Sequence, residues 1–132
     1  MNDTALKAWL ENEGFPATAT LRQSLRGRID DATTPLMHAA RLGRIGYVGE
    51  LLSRGADPRE LNADAPLDSQ NAYGATALIY AASTGQTGIV QLLLDAGADT
   101  ALATLDGFTA LDLAANRGCI DMLRSRLHLQ AA

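Results

Sequence analysis

Cys119, His38 and His128 are the thiol and imidazole groups of this 132-residue chain, and their spacing decides what chemistry they could support. A thiol becomes reactive beside a base or a second thiol. Cys119 has no Cys-x-x-Cys partner, and His128 lies nine residues further on. On one straight helix that separation is about two and a half turns, or ~13 Å of rise, so the two side chains would not meet. An enzyme using Cys119 is therefore the weakest of the function classes open to the chain. Asp57 and Asp99 each follow a Gly-Ala pair. A carboxylate that recurs in one frame is better explained by turn hydrogen bonding than by metal ligation. Neither Gly-x-x-x-x-Gly-Lys nor Gly-x-Gly-x-x-Gly occurs, which removes the usual phosphate cradles. The expectation is no catalytic residue, no metal and no cofactor.

The frame that repeats Gly-Ala-Asp is part of a longer one. Residues 71–103, NAYGATALIYAASTGQTGIVQLLLDAGADTALA, read as turn, short helix, turn, longer helix, turn. Thr76-Ala77-Leu78, Ala81-Ala82 and Gly85 recur as Thr109-Ala110-Leu111, Ala114-Ala115 and Gly118, an offset of 33 residues. An earlier copy carries Thr34-Pro35-Leu36, Ala39-Ala40, Gly43 and Gly55-Ala56-Asp57, offset by 42. Thr34, Thr76 and Thr109 can each accept from orphan amides at a helix start, and Pro35 suits a first helical position. Thr109-x-x-Asp112 has capping-box spacing. Gly74 and Gly107 precede these caps where a reversing chain needs positive φ, and Ala32 takes that place in the first copy. Gly85 ends the first helix of the middle copy, Thr87 can begin the second, and Gly97 closes it with a left-handed cap. That second helix carries Ile89, Val90, Leu92, Leu93 and Leu94 on a wide apolar face. One such unit cannot hide its apolar face alone, so neighbours must stack. Glu50 replaces Leu92 in the first copy without an evident reason, and Ser125-Arg126 replaces Leu92-Leu93 in the last, as the end of a stack should.

A period of 33 with Thr-Pro-Leu opening one helix and Leu-Leu-x-x-Gly-Ala-Asp closing another resembles the ankyrin repeat over roughly residues 29–127. Within that family, GATALIYAASTG and LDGFTALDLAAN are similar to small stand-alone bacterial ankyrin proteins. The resemblance implies an all-α solenoid of stacked helix-turn-helix units with an N-terminal helical cap. It divides the chain into a cap at 1–28, repeats at 29–61 and 71–103, an insertion at 62–70, and a third repeat with a C-terminal cap at 104–132. One departure concerns the histidine of the family motif: Met37, Ile79 and Asp112 stand in its place, while His38 sits one position late. The resemblance also implies a concave face of turns and first helices that grips another protein. Transferred to this chain, its candidate contacts are Asp31, Tyr73, Leu105 and Phe108 in the turns and Arg41, Leu42, Asn116 and Arg117 on the inner helices. Leu42, Tyr73, Leu105 and Phe108 would be apolar on an open face, and aromatics rimmed by arginine are what interface hot spots use. The alternative packs Tyr73 and Phe108 on the neighbouring turn.

The segments outside the repeats read differently. Asp3 or Thr4 can cap a helix bearing Leu6, Trp9 and Leu10 and stopping at Gly14. Thr20-x-x-Gln23 can open a second, with Leu21 and Leu25, closed by Gly27. Both fit a cap over the first repeat, with Trp9 as a core anchor. Residues 62–70 are turn-forming and include Pro66. They fit a repeat that has lost its helices or an ordinary extended hairpin loop.

Composition bounds the function. Apolar residues make up 47% and aromatics 5%, as in small-residue helical stacks. One cysteine permits no intramolecular disulfide and fits a reducing compartment. No apolar run approaches a membrane span and no basic-then-apolar leader begins the chain, so it reads as soluble and cytoplasmic. Between Arg59 and Arg117 there is no Lys or Arg, while Glu60, Asp64, Asp68, Asp95, Asp99, Asp106 and Asp112 fall there. With a net charge of −4, that acidic body argues against nucleic acid. The leading expectation is a monomeric adaptor or scaffold for a protein partner. The alternative is a self-associating structural module.

Overall fold

A computed structural model describes residues 3–13, 35–53, 70 and 73–130. Among them are seven helices: α1 (Asp3–Asn12), α2 (Pro35–Leu42), α3 (Ile45–Ser53), α4 (Ala77–Ser83), α5 (Thr87–Asp95), α6 (Ala110–Leu113) and α7 (Arg117–Gln130). The described residues contain no strand, only an isolated antiparallel bridge between Ala103 and Thr109. The helix expected near Thr20, the cap at Thr34 and the insertion at 62–70 lie outside the described residues.

Capping chemistry sets the ends. The Ile79 amide donates to Thr76 Oγ1 at 3.2 Å, satisfying one of the amides that α4 leaves without a partner. At α6 the box is complete: the Asp112 amide donates to Thr109 Oγ1 (3.3 Å) and the Thr109 amide donates to Asp112 Oδ2 (3.0 Å). Pro35 opens α2, where its missing amide hydrogen leaves nothing unpaired. The helices α2, α4 and α5 stop by one device. Gly43, Gly85 and Gly97 have φ of 75°, 74° and 93°, and the amide after each returns to a carbonyl five residues back: Arg44 to Ala39, Gln86 to Ala81 and Ala98 to Leu93.

Helices α2, α4 and α6 pack side by side in one layer, and α3, α5 and α7 in a second laid against it. Ala39, Ala40, Ala81 and Ala82 are fully buried, so the first-layer helices approach closely. Val48 and Leu51 of α3, Ile89, Val90, Leu93 and Leu94 of α5, and Leu123 of α7 fill the space between layers. Each contributes about 1.5–3 kcal/mol by leaving water. Glu50 is only half-buried, as is its counterpart Leu92, while Leu51 and its counterpart Leu93 are buried. The position that carries the carboxylate is therefore one that water reaches. Over the first pair lies α1, with Leu6 and Leu10 buried and the Trp9 ring stacked on Tyr47 at 4.1 Å and 11°. His38, one place late for the family motif, faces this cap: its Nε2 lies 2.9 Å from Glu13 Oε2 while Arg41 donates to its Nδ1 at 3.0 Å. A guanidinium only donates, so this ring accepts at Nδ1 and donates from Nε2.

The third unit departs from the repeat alignment. Gly118 does not end a helix as its counterpart Gly85 does; it lies inside α7, and α6 stops at Leu113, where Ala114 turns to ψ 123°. The segment after α6 straightens because the Ala115 amide donates to the Ala82 carbonyl of α4 (2.9 Å). Asn116 then caps α7 by accepting from the Cys119 amide (2.9 Å). Gly118 remains small for a reason, since a Cβ there would stand 2.9 Å from Thr87 Cγ2. Near the far end of α7, Arg126 reaches back to α5, donating to the Leu94 carbonyl (2.8 Å) and pairing with Asp95. A cation thus covers the negative end of a helix where the middle copy has Leu93.

Two predictions follow from these contacts. Gly74 and Gly107 share positive φ (77° and 88°), but a Cβ on Gly74 would lie 2.8 Å from the Leu105 nitrogen, whereas one on Gly107 meets nothing within 4 Å. In urea titrations Gly107→Ala should cost about 1 kcal/mol and Gly74→Ala roughly 2–3, near the top of the range for local backbone strain. For Asp95, hydrogen bonds from Gln91 and Arg126 hold the carboxyl below its ordinary value of 3.8. A lowered folded pKa stabilises fully above the unfolded value and is lost as pH falls through the folded one. The urea midpoint of the native chain, compared with Asp95→Asn, should therefore hold a constant gap above 3.8 and lose it below.

Candidate functional site

Three of the expected contact residues converge at the turns that precede α4 and α6. In the second of these the Thr104 amide donates to the Phe108 carbonyl (2.9 Å), the Gly107 amide to the Thr104 carbonyl (2.9 Å), and the Phe108 amide to Thr104 Oγ1 (3.3 Å). Leu105 and Asp106 sit at its apex. It is tied to the preceding turn by the Leu105 amide, which donates to the Tyr73 carbonyl at 3.0 Å. Gln70 strengthens the join, its Nε2 donating to both the Gly74 and Ala103 carbonyls at 2.9 Å. The repeat pattern did not single out Gln70, although it lies one period before Ala103. The backbones of the two turns are thus consumed by each other while the side chains remain outside: Tyr73 is 63% exposed, Leu105 79% and Phe108 48%.

Arg41 and Leu42 occupy the opposite end of α2, but Asn116 and Arg117, expected on an inner helix, are not on one: α6 stops at Leu113, so Asn116 caps and Arg117 opens α7 in the other layer. Eight residues of helix span about 12 Å, so Arg41 and Leu42 at the end of α2 are a helix length from Pro35 at its start. Arg41 spends one nitrogen on His38. Asn116 is committed on both sides of its amide, donating to the Gly85 carbonyl (3.1 Å) while it caps α7. Leu42 is half-exposed, and Arg117 is almost wholly in solvent, 3.8 Å from Asp121 one turn on. An exposed pair of that kind adds little stability. Ile45, which opens α3, is a further exposed apolar residue, and its place in the alignment, opposite the polar Thr87, is the signal that could have found it. Asp31 lies outside the described residues.

The candidate nucleophile is a packing group. Cys119 sits fully buried in the first turn of α7, and burial pushes its thiol up, away from the reactive thiolate. His128 is on the same helix, two and a half turns along. Among the described residues no three His, Cys, Asp or Glu side chains gather as metal ligands would, and no helix is long and apolar enough to cross a membrane. One concavity there is an open depression of about 480 Å³ between Ala115 and Arg124 on the last face of the stack. It is not the enclosed, apolar pocket that small ligands use.

The family model of ankyrin repeats (3 copies) matches residues 59–128, and that of the single ankyrin repeat matches residues 32–63. Among solved structures the chain is similar to the ankyrin repeat domain of Bcl-3, a unique member of the IkappaB protein family. That likeness has a TM-score of 0.67 at 25% sequence identity and covers 91% of this chain and 50% of the other, so the chain spans half the length of its neighbour. No curated protein matches. Ankyrin repeats are in general protein–protein interaction modules without catalytic function. Helix pairs opened by threonine, stacked in two layers and joined through their turns, with both family models matching in succession, make this chain a member of the ankyrin repeat family.

Proposed function

We propose that the chain is a monomeric adaptor that holds a protein partner against its turns and first-layer helices. Tyr73, Leu105 and Phe108 are the anchors, and Leu42, Arg41 and Arg117 form a more distant rim. Three large apolar side chains on adjoining turns carry this reading, because the stack gains nothing from leaving them in water. Asn116 serves the fold first, through its cap and its bond to Gly85, and meets a partner only with its remaining surface. Residues 29–61, 71–103 and 104–132 act as the repeats, 1–28 as the cap that α1 begins, and 62–70 as the segment between the first two repeats. The reading assigns no catalysis and no cofactor, and the single buried thiol fits a cytoplasmic protein.

Immobilised chain should capture a partner from extract of its native host, identified by mass spectrometry, and the paired change Tyr73→Ala with Phe108→Ala should abolish that capture. Because both side chains are exposed, the paired variant should lose no more than about 0.5–1 kcal/mol in urea, against about 2–5 for Leu93→Ala in the core. Capture that survives the paired change, or a loss of capture together with folding, would remove these residues from the site. Light scattering over a range of concentrations should give the monomer mass throughout; growth with concentration would favour self-association instead.

A further inference from the structure

The exposed apolar turns lie in a part of the chain with no positive charge, since no Lys or Arg occurs between Arg59 and Arg117. Asp106 stands at the apex between Leu105 and Gly107, exposed, and makes no hydrogen bond or ion pair with any described residue. Asp112, four residues past Phe108, gives one oxygen to the capping box, and among the described residues no cation pairs with it. The guanidinium of Arg126 is spent at the end of α5, in the other layer, and Arg117 is beside Asp121. Phe108 is therefore flanked in sequence by two carboxylates that nothing described neutralises.

An apolar patch edged by uncompensated carboxylates selects its ligand by charge as well as by shape. Acidic segments, phosphate backbones and anionic lipid surfaces are repelled, while a ligand carrying cations is steered in and fixed in register. The rings of Phe108 and Tyr73 add a second attraction for the same charge, since an aromatic face draws an ammonium or guanidinium. We infer that this surface takes a peptide segment in which aromatic or aliphatic side chains are flanked by lysine or arginine. The segment seats its apolar groups on Tyr73, Leu105 and Phe108 and pairs a cation with Asp106. The inference rests on the adaptor reading and adds the chemistry of the partner to it.

A random-peptide display library panned against the full chain at low salt, with the enriched sequences remade as soluble peptides for calorimetry, tests it. The expected binders combine Lys or Arg with aromatic or aliphatic residues. Replacing the peptide cations with Gln should weaken binding by about tenfold or more, as should raising the salt. Asp106→Asn should reproduce most of that loss with an unchanged circular dichroism spectrum. Binders that need Tyr73 and Phe108 yet carry acidic or no charge would overturn the charge inference and leave the adaptor surface standing. Recovery of no binders, or of binders indifferent to Tyr73→Ala with Phe108→Ala, would overturn both.

Discussion

A helix pair as short as α4 and α5 exposes more apolar surface than it can fold onto itself, and the burial of each pair by the next is what the rest of the molecule depends on. Ala81, Ala82, Ile89, Val90 and Leu93 lose all or nearly all contact with water because pairs lie on both sides of them. The ends of the stack must then be finished differently. At the first pair, α1 supplies Leu6, Leu10 and the Trp9–Tyr47 stack. At the last, α7 stands Arg126 where the middle copy buries Leu93, and the guanidinium closes the end of α5 instead of extending the core.

The same stacking explains why the turns can afford exposed side chains. Their backbone groups are satisfied by one another, through the Leu105 amide and the amide of Gln70, so order in this region does not require Tyr73, Leu105 or Phe108 to be buried. Surface that the fold does not use can vary for recognition. In the second and third copies it is apolar in the turns, with carboxylates close by in sequence, a combination that under the proposed reading would select a partner by both charge and shape.

What could be read from the chain was whatever a short local rule determines. Capping at Thr76, the box at Thr109 and Asp112, the left-handed glycines at Gly85 and Gly97 and the apolar run of α5 depend on a few neighbouring residues, and all were legible. The features that escaped depend on the neighbouring unit. Gly118 looked like the counterpart of Gly85, but the Ala82 carbonyl draws out the Ala115 amide and Asn116 restarts the chain as α7, so Cys119 enters a helix and becomes buried. Glu50 seemed misplaced until its position proved half-exposed, as Leu92 is too. His38 serves α1 through Glu13, a contact across 25 residues that no repeat frame contains. Of the candidate surface, period and residue type placed Tyr73, Leu105 and Phe108 in turns, where they are exposed, and the contact of Arg41 with His38 is a matter of spacing within α2, whereas the bond of Asn116 to Gly85 appears only when the neighbouring unit is in place.

Native-state amide exchange, followed residue by residue, tests most directly whether mutual burial of successive pairs holds the molecule together. The amides of α4 and α5, covered on both sides, should exchange slowest, those of α6 and the second half of α7 faster, and those of the turn at 104–108 outside its hydrogen bonds fastest of all. Protection in α6 and α7 equal to that in α4 and α5, or exchange in α4 and α5 as fast as in the turns, would contradict the account, because stability would then not depend on a neighbour on each side.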